Sequence, residues 1–334
     1  MNPAFLILSI FISFFTSLLS IYFFIKLANL YNLKNKPKDL SRLISKKKTP
    51  TSVGLVLSLI FISLLIIWRF EYPDYFLTIA RFNVLILSIL FLSLISFFDD
   101  FKSINPIYRL VAQVTFVFFS LSTLPTHLIH FIPLKLSILI TIYIWVYYIN
   151  INNFIDGIDG FEISHIIFSS LSILIILFYL DIDLIEKYIA IGVLSISVPF
   201  FIFNKPTAKV FMGDSGSIFF GFVNGWLLLR LISLDLGHIS LIIIMYPLMD
   251  VTLTILIKIK NGYPPWKRMF DYFFLQGVKS GKITHSKTLL FFNIHNTVSI
   301  LLVMGCIIFN PIFMITLSFM NSLVLINIYN KFRI

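Results

Sequence analysis

Six of the fifteen acidic residues fall into three short polar clusters, each beside a long apolar run. The first is Phe97-Phe98-Asp99-Asp100-Phe101-Lys102-Ser103-Ile104-Asn105-Pro106, followed by Arg109 and Gln113. Adjacent carboxylates hold a hard cation or take a proton from a nucleophile. Alone, an Asp-Asp pair is also a solvated helix end before a restart at Pro106. The second is Asn150-Ile151-Asn152-Asn153-Phe154-Ile155-Asp156-Gly157-Ile158-Asp159-Gly160, with Glu162 just beyond. It offers carboxylates, amides and exposed backbone N–H groups, and the helix start that follows suits an anion. Asn and Asp-Gly steps are equally turn formers. The third runs from Phe203-Asn204-Lys205-Pro206 through Lys209 to Met212-Gly213-Asp214-Ser215-Gly216-Ser217. One carboxylate and two hydroxyls at a helix start fit a Mg²⁺-diphosphate, because Mg²⁺ takes one or two protein carboxylates plus phosphate and water. The same residues also make an ordinary N-cap.

The elements that must position these clusters are membrane helices. Of 334 residues, 58% are hydrophobic and 12% charged, against about 25% charged in soluble domains. Apolar runs near the ~20 residues of a bilayer crossing recur along the chain. They predict an all-α polytopic protein of about eleven spans, starting near residues 4, 52, 77, 108, 133, 161, 187, 216, 238, 287 and 311. The count drops to ten if the last two runs form one broken hairpin. The runs are too long for barrel strands and lack strict alternation. The first, from Ala4 to Leu27, lacks a cleavage pattern and reads as a retained span.

Loop charge sets the expected orientation. Lys26 to Lys48 holds eight Lys or Arg and one acid; Lys258 to Lys287 holds seven and one. Both should be cytoplasmic, which explains the +11 net charge without nucleic acid. Alternation then puts the N-terminus outside, the C-terminus inside and all three acidic clusters on the cytoplasmic face. The expected loops are about 28–51, 98–107, 151–160, 204–217 and 259–286, within one integral-membrane domain spanning 1–334. Cys306 is the only cysteine, so a disulfide framework and a Cys-based metal site are excluded. Glu162 and Asp250 lie inside predicted spans, where acids are functional candidates by default. Asp250 could equally pair with Thr252 or Thr254. His127, His130, His165 and His295 are scattered without ligand spacing.

Taken together, in this order and spacing, the clusters resemble the polyprenyl-phosphate N-acetylhexosamine-1-phosphate transferase superfamily (glycosyltransferase family 4). The superfamily includes undecaprenyl-phosphate N-acetylglucosamine-1-phosphate transferases and the phospho-N-acetylmuramoyl-pentapeptide transferase of peptidoglycan synthesis. The resemblance runs from Thr49-Pro50-Thr51-Ser52-Val53-Gly54, similar to the family's Pro-Thr-Pro-Arg-Gly-Gly stretch, to about residue 285. It implies that Asp214 binds Mg²⁺, with Mn²⁺ as an alternative and Asp99 as a metal neighbour. It further implies that Asp99 and Asp100 orient or deprotonate the lipid phosphate, and that Asp156 and Asp159 belong to the catalytic Asp-Gly-Xaa-Asp-Gly loop. Asp159 and Asn204 match the uridine pocket, and Asn152 and Asn153 match residues near the diphosphate. The implied partners are a UDP-N-acetylhexosamine and undecaprenyl phosphate in a bacterial inner membrane, with a homodimer left open.

Two departures stand against that pattern. The superfamily's histidine cluster has no counterpart in Tyr263–Phe273, where Lys267-Arg268-Met269-Phe270 replaces the His-Arg-Xaa-His of the O-antigen branch. Lys267 and Arg268 are then the residues left to bind the donor diphosphate, and His285 lies too far along to be an obvious substitute. Lys102 follows Asp100 by two positions, against three in the peptidoglycan enzymes. Both departures lean towards O-antigen initiation. A transporter or lipid flippase is the competing class, with charges near span centres and duplicated halves expected of it. The third alternative is an inactive family member.

Overall fold

The computed structural model describes residues 3–30, 49–75, 78–182, 184–264 and 271–332. Most of the first basic loop, including Lys46 to Lys48, lies outside the described residues, as do Lys267 and Arg268. Twelve α-helices and no strand occur among those described. They are α1 (Pro3–Leu30), α2 (Gly54–Glu71), α3 (Ile79–Phe101), α4 (Pro106–Ser120), α5 (Leu134–Ile155) and α6 (Phe161–Tyr179). There follow α7 (Ile185–Asn204), α8 (Asp214–Ser233), α9 (Gly237–Lys260), α10 (Phe273–Lys279), α11 (His285–Gly305) and α12 (Pro311–Asn330). Ten are long and apolar enough to span a membrane, where only a helix or a closed barrel satisfies every backbone group.

Local chemistry sets several starts. Asn105 accepts the N–H of Ile107 at 3.0 Å and Asn310 that of Ile312 at 2.8 Å, each with proline at the first helical position. Such Asn-Pro steps cap a helix and tolerate the missing donor.

Helix α8 is the axis of the molecule. Fully 89% of its central window is buried, against 22% for α1, and α2, α3, α5, α6, α7 and α9 all pack on it. Small residues permit this. A Cβ on Gly54 would sit 2.1 Å from the backbone nitrogen of Gly216, and one on Gly225 would sit 2.8 Å from the Trp145 ring. The Gly54 N–H donates to the Met212 carbonyl at 3.0 Å, and the Phe211 N–H to that of Pro50 at 2.8 Å. The Thr49–Gly54 stretch is therefore strapped to the loop that launches α8.

Helix α4 departs from expectation. At 15 residues it is about 22 Å long, short of the ~30 Å apolar core. It nevertheless runs alongside α8 from the site end towards the other face of the bundle. Its Arg109 end meets the start of α8, while Trp226, three turns along α8, donates to Thr123 just beyond the other end of α4 at 2.8 Å. With α4, eleven helices among the described residues run between the two faces of the bundle, and Phe5 and Phe332 lie at opposite faces. Phe5 contacts Tyr72 at one face (ring centroids 5.8 Å), and Ser280 donates to the Phe332 carbonyl at the other, 3.0 Å away.

Candidate active site

All three acidic clusters meet at the end of the bundle where α8 begins. Asp99 ends α3 and Arg109 lies in the first turn of α4; the hairpin between them is held by the Ile104 N–H, which donates to Asp99 Oδ1 at 2.6 Å. Asp214 opens α8. One guanidinium nitrogen of Arg109 donates to Asp99 Oδ2 and, at 2.6 Å, to Asp214 Oδ2. Two carboxylates far apart in sequence thus aim at a single cationic atom. All three side chains are at most 21% exposed, so the charges are poorly screened.

That convergence suits a hard divalent cation. The donors are carboxylate oxygens, and Mg²⁺ needs only one or two from protein. No group of three or more Asp, Glu, His or Cys forms a ready metal cage among the described residues, which leaves room for phosphate and water in such a shell.

Asp100 turns to the start of α8. It accepts the Asp214 N–H at 2.8 Å, the Ser215 N–H at 3.4 Å and the Ser215 hydroxyl at 3.1 Å. Its charge meets the positive end of the helix. Gly213 has φ +76°, and a Cβ there would sit 2.4 Å from Asp100 Oδ2, so only glycine serves.

The second and third loops lock together beside this cluster. Asn153 donates to Ser217 at 2.8 Å, the Gly160 N–H to Asn204 at 3.0 Å, and the Ala208 N–H to Asp159 at 3.1 Å. Asn204 donates onward to the Val210 carbonyl at 2.9 Å. Asp156 ends α5 at the same face, and its charge and that of Asp214 both act on Glu162. Asn152 faces elsewhere: it is fully buried, and its amide donates to the Tyr148 carbonyl at 2.9 Å. It belongs to the α5–α8 contact rather than to the cleft.

Two basic residues join the acids and amides at the site. Arg109 had one signal, a cation inside an apolar run. His285 had none, being far from the clusters in sequence. The structure corrects its dismissal: His285 opens α11 with Nδ1 3.3 Å from Asp159 Oδ1. Of the segment that lacks the histidine cluster, 265–270 lies outside the described residues, and its described end packs on aromatic rings. Tyr272 and Phe274 stack on Phe154 and Phe161, and Phe161 on Phe292, with centroids 3.8–5.8 Å apart.

Fold and site together define a multi-pass membrane protein whose acidic and polar clusters meet at one end of its helix bundle. Residues 82–232 match the model of glycosyl transferase family 4. The chain is 29% identical over 234 residues to the phospho-N-acetylmuramoyl-pentapeptide-transferase of Streptococcus equi subsp. equi, covering 63% of this chain and 68% of that one. With the same-named protein of Streptococcus thermophilus it shares 28% over 206 residues, 55% of this chain and 59% of that one. With that of Staphylococcus epidermidis it shares 27% over 253 residues, 68% and 75% respectively. The family model and these relatives support the resemblance to the polyprenyl-phosphate N-acetylhexosamine-1-phosphate transferase superfamily and, with the ten apolar helices, a bacterial multi-pass membrane protein. These relatives carry names from the peptidoglycan branch, the branch that the Lys102 spacing and the missing histidines weigh against.

Proposed function

We propose that the protein transfers an N-acetylhexosamine-1-phosphate from a UDP-sugar to undecaprenyl phosphate, releasing UMP at the cytoplasmic face. The observation that carries this reading is the meeting of Asp99 and Asp214 on Arg109 at the start of the most buried helix. An oxygen of the lipid phosphate attacks the β-phosphorus of the donor. The bond from that phosphorus to the bridging oxygen breaks, and the electron pair leaves on UMP. Such transfers depend on positioning and charge neutralisation more than on covalent help.

Asp214, with Asp99 beside it, would hold Mg²⁺ (or Mn²⁺), which neutralises the diphosphate. Asp100 keeps the start of α8 in place, so that Asp214 and the adjacent N–H groups present one rigid surface. Asp156, Asp159, Asn153 and Asn204 line the donor side, where Lys267 and Arg268 add positive charge. The basic segments 26–48 and 258–287 support a cytoplasmic site. A surface glycan such as O-antigen is the pathway favoured by the Tyr263–Phe273 loop. The relatives' names favour a second donor, an N-acetylmuramoyl-pentapeptide carried on UDP.

The test is UMP release from membranes carrying the protein or Asp214→Asn, given undecaprenyl phosphate, Mg²⁺ and a panel of UDP-N-acetylhexosamines that includes the muramoyl-pentapeptide form. We expect release with one donor, lost with EDTA and reduced at least about 10²-fold by the substitution. Silence with every donor, while a related enzyme works in the same membranes, would move the inactive-member and transporter readings ahead.

A further inference from the structure

The site holds an imidazole whose chemistry is set by an unusual pair of neighbours. His285 Nδ1 lies 3.3 Å from the Asp159 backbone nitrogen and 3.3 Å from the Asp159 carboxylate. One nitrogen cannot serve both at once. In one neutral tautomer, Nδ1 accepts the Asp159 N–H and the hydrogen sits on Nε2; in the other, Nδ1–H donates to the carboxylate and Nε2 is an acceptor. In the imidazolium, Nδ1–H donates to the carboxylate, and Nε2 again carries a hydrogen. An anionic ligand at Nε2 selects the two forms that carry a hydrogen there, in one unchanged ring position.

That donor bonds to no protein group among the described residues, and the side chain is 18% exposed. It opens into a basic, solvent-reached rim. Lys205 and Lys209 are exposed on one flank, Lys282 and Lys287 on the other. Helices α6 and α11 both begin here, turning unpaired N–H groups and positive dipole ends towards the same place. Asp159 itself is pinned through its second oxygen by the Ala208 N–H at 3.1 Å, so the ring rests on a rigid support. The carboxylate–histidine pair orients an imidazole much as such pairs do at metal sites, here with a polar ligand as the object.

We propose that His285 is a substrate-positioning residue whose Nε2–H donates to a diphosphate oxygen of the UDP-sugar. The inference rests on the function proposed above. It places the histidine on the water-borne donor rather than the lipid phosphate, because the rim is solvent-exposed and is built on the Asp159 and Ala208 loops rather than on the Asp99–Arg109 hairpin. Sequence spacing alone offered no imidazole for this loop; the start of α11 supplies one.

The experiment compares purified wild type with His285→Ala and His285→Gln, in UMP-release kinetics and in the thermal stabilisation given by added UDP. The alanine variant should raise KM for the UDP-sugar by about 10- to 100-fold, the loss of one hydrogen bond to a charged group. KM for undecaprenyl phosphate should stay within about threefold, a difference too small to report a lost contact. Glutamine keeps an N–H donor at similar reach and should recover most of the donor KM. UDP should stabilise wild type and His285→Gln more than His285→Ala.

Equal damage by Ala and Gln, or a loss confined to the lipid-phosphate KM, overturns the proposal. So does unchanged UDP stabilisation across the three proteins. If alanine does not fold, His285→Leu, of matched bulk and without a donor, takes its place. If wild type turns over no donor, the proposed function fails, and the UDP stabilisation series still decides the role of His285.

Discussion

Arg109 stands where a cation is wanted, and its removal exposes what it does. Asp99 and Asp214 aim at one guanidinium nitrogen; without it two half-buried carboxylates face each other, a repulsion of several kcal/mol at low effective dielectric. Arg109→Met should therefore unfold at a lower temperature in EDTA and regain most of the loss with Mg²⁺. Wild type should respond less to Mg²⁺, since ligand stabilisation scales with what binding relieves. Thermal unfolding in detergent, with and without Mg²⁺, checks this, and an equal Mg²⁺ response in both proteins contradicts it. Glu162 poses the opposite case. It is 1% exposed, and neither oxygen meets a hydrogen-bond donor among the described residues. Asp156 and Asp214 add negative charge nearby. Glu162→Gln should raise the unfolding midpoint by a few degrees, because the amide removes the repulsion from the Asp156 and Asp214 charges. A lowered midpoint would show that the carboxylate meets a stabilising partner.

At the scale of elements, helix ends carry the site and one buried acid holds a helix end. Asp250 of α9 accepts the Phe273 N–H at 3.0 Å, the Phe274 N–H at 3.2 Å and the Tyr246 hydroxyl at 2.6 Å. It caps α10, where spacing alone suggested Thr252 or Thr254. Thr254 does contribute, at 3.4 Å, while Thr252 bonds to Tyr147. Asp250→Ala orphans four donors, each worth about 1–3 kcal/mol. Faster hydrogen exchange and protease cleavage within 271–279 should follow, with Asp250→Asn in between. Unchanged exchange there would mean that the aromatic stack of Tyr272 and Phe274 holds α10 unaided.

Across the whole molecule, the short α4 decides which segments share a side. The start of α2 and the 281–285 turn lie at the site face, while Asp74 and Asp235 lie at the other. Cys306 is the only cysteine, so a Cys306→Ser background permits labelling at single introduced cysteines. Asp74→Cys and Asp235→Cys should react with an impermeant maleimide in intact cells, and Lys282→Cys only after permeabilisation. If α4 did not cross, Asp74→Cys and Asp235→Cys would label from opposite sides.

Hydropathy alone was enough for the class of fold, because crossing a bilayer demands ~20 apolar residues and an internally satisfied backbone. The acidic clusters were legible for the same reason: carboxylates beside apolar runs are costly and stand out where charge is scarce. Asp99, Asp156, Asp159 and Asp214 could be named before any packing was known. Which side chains face one another was decided only in three dimensions. Asn152 and Asn153 are neighbours in the chain, yet helical rotation buries one and presents the other to Ser217. Arg109 and His285 reach the site through the course of α4 and the position of α11, which depend on contacts between residues distant in sequence. Spacing reports what a single helix can hold on one face; the bundle around α8 decides which faces meet.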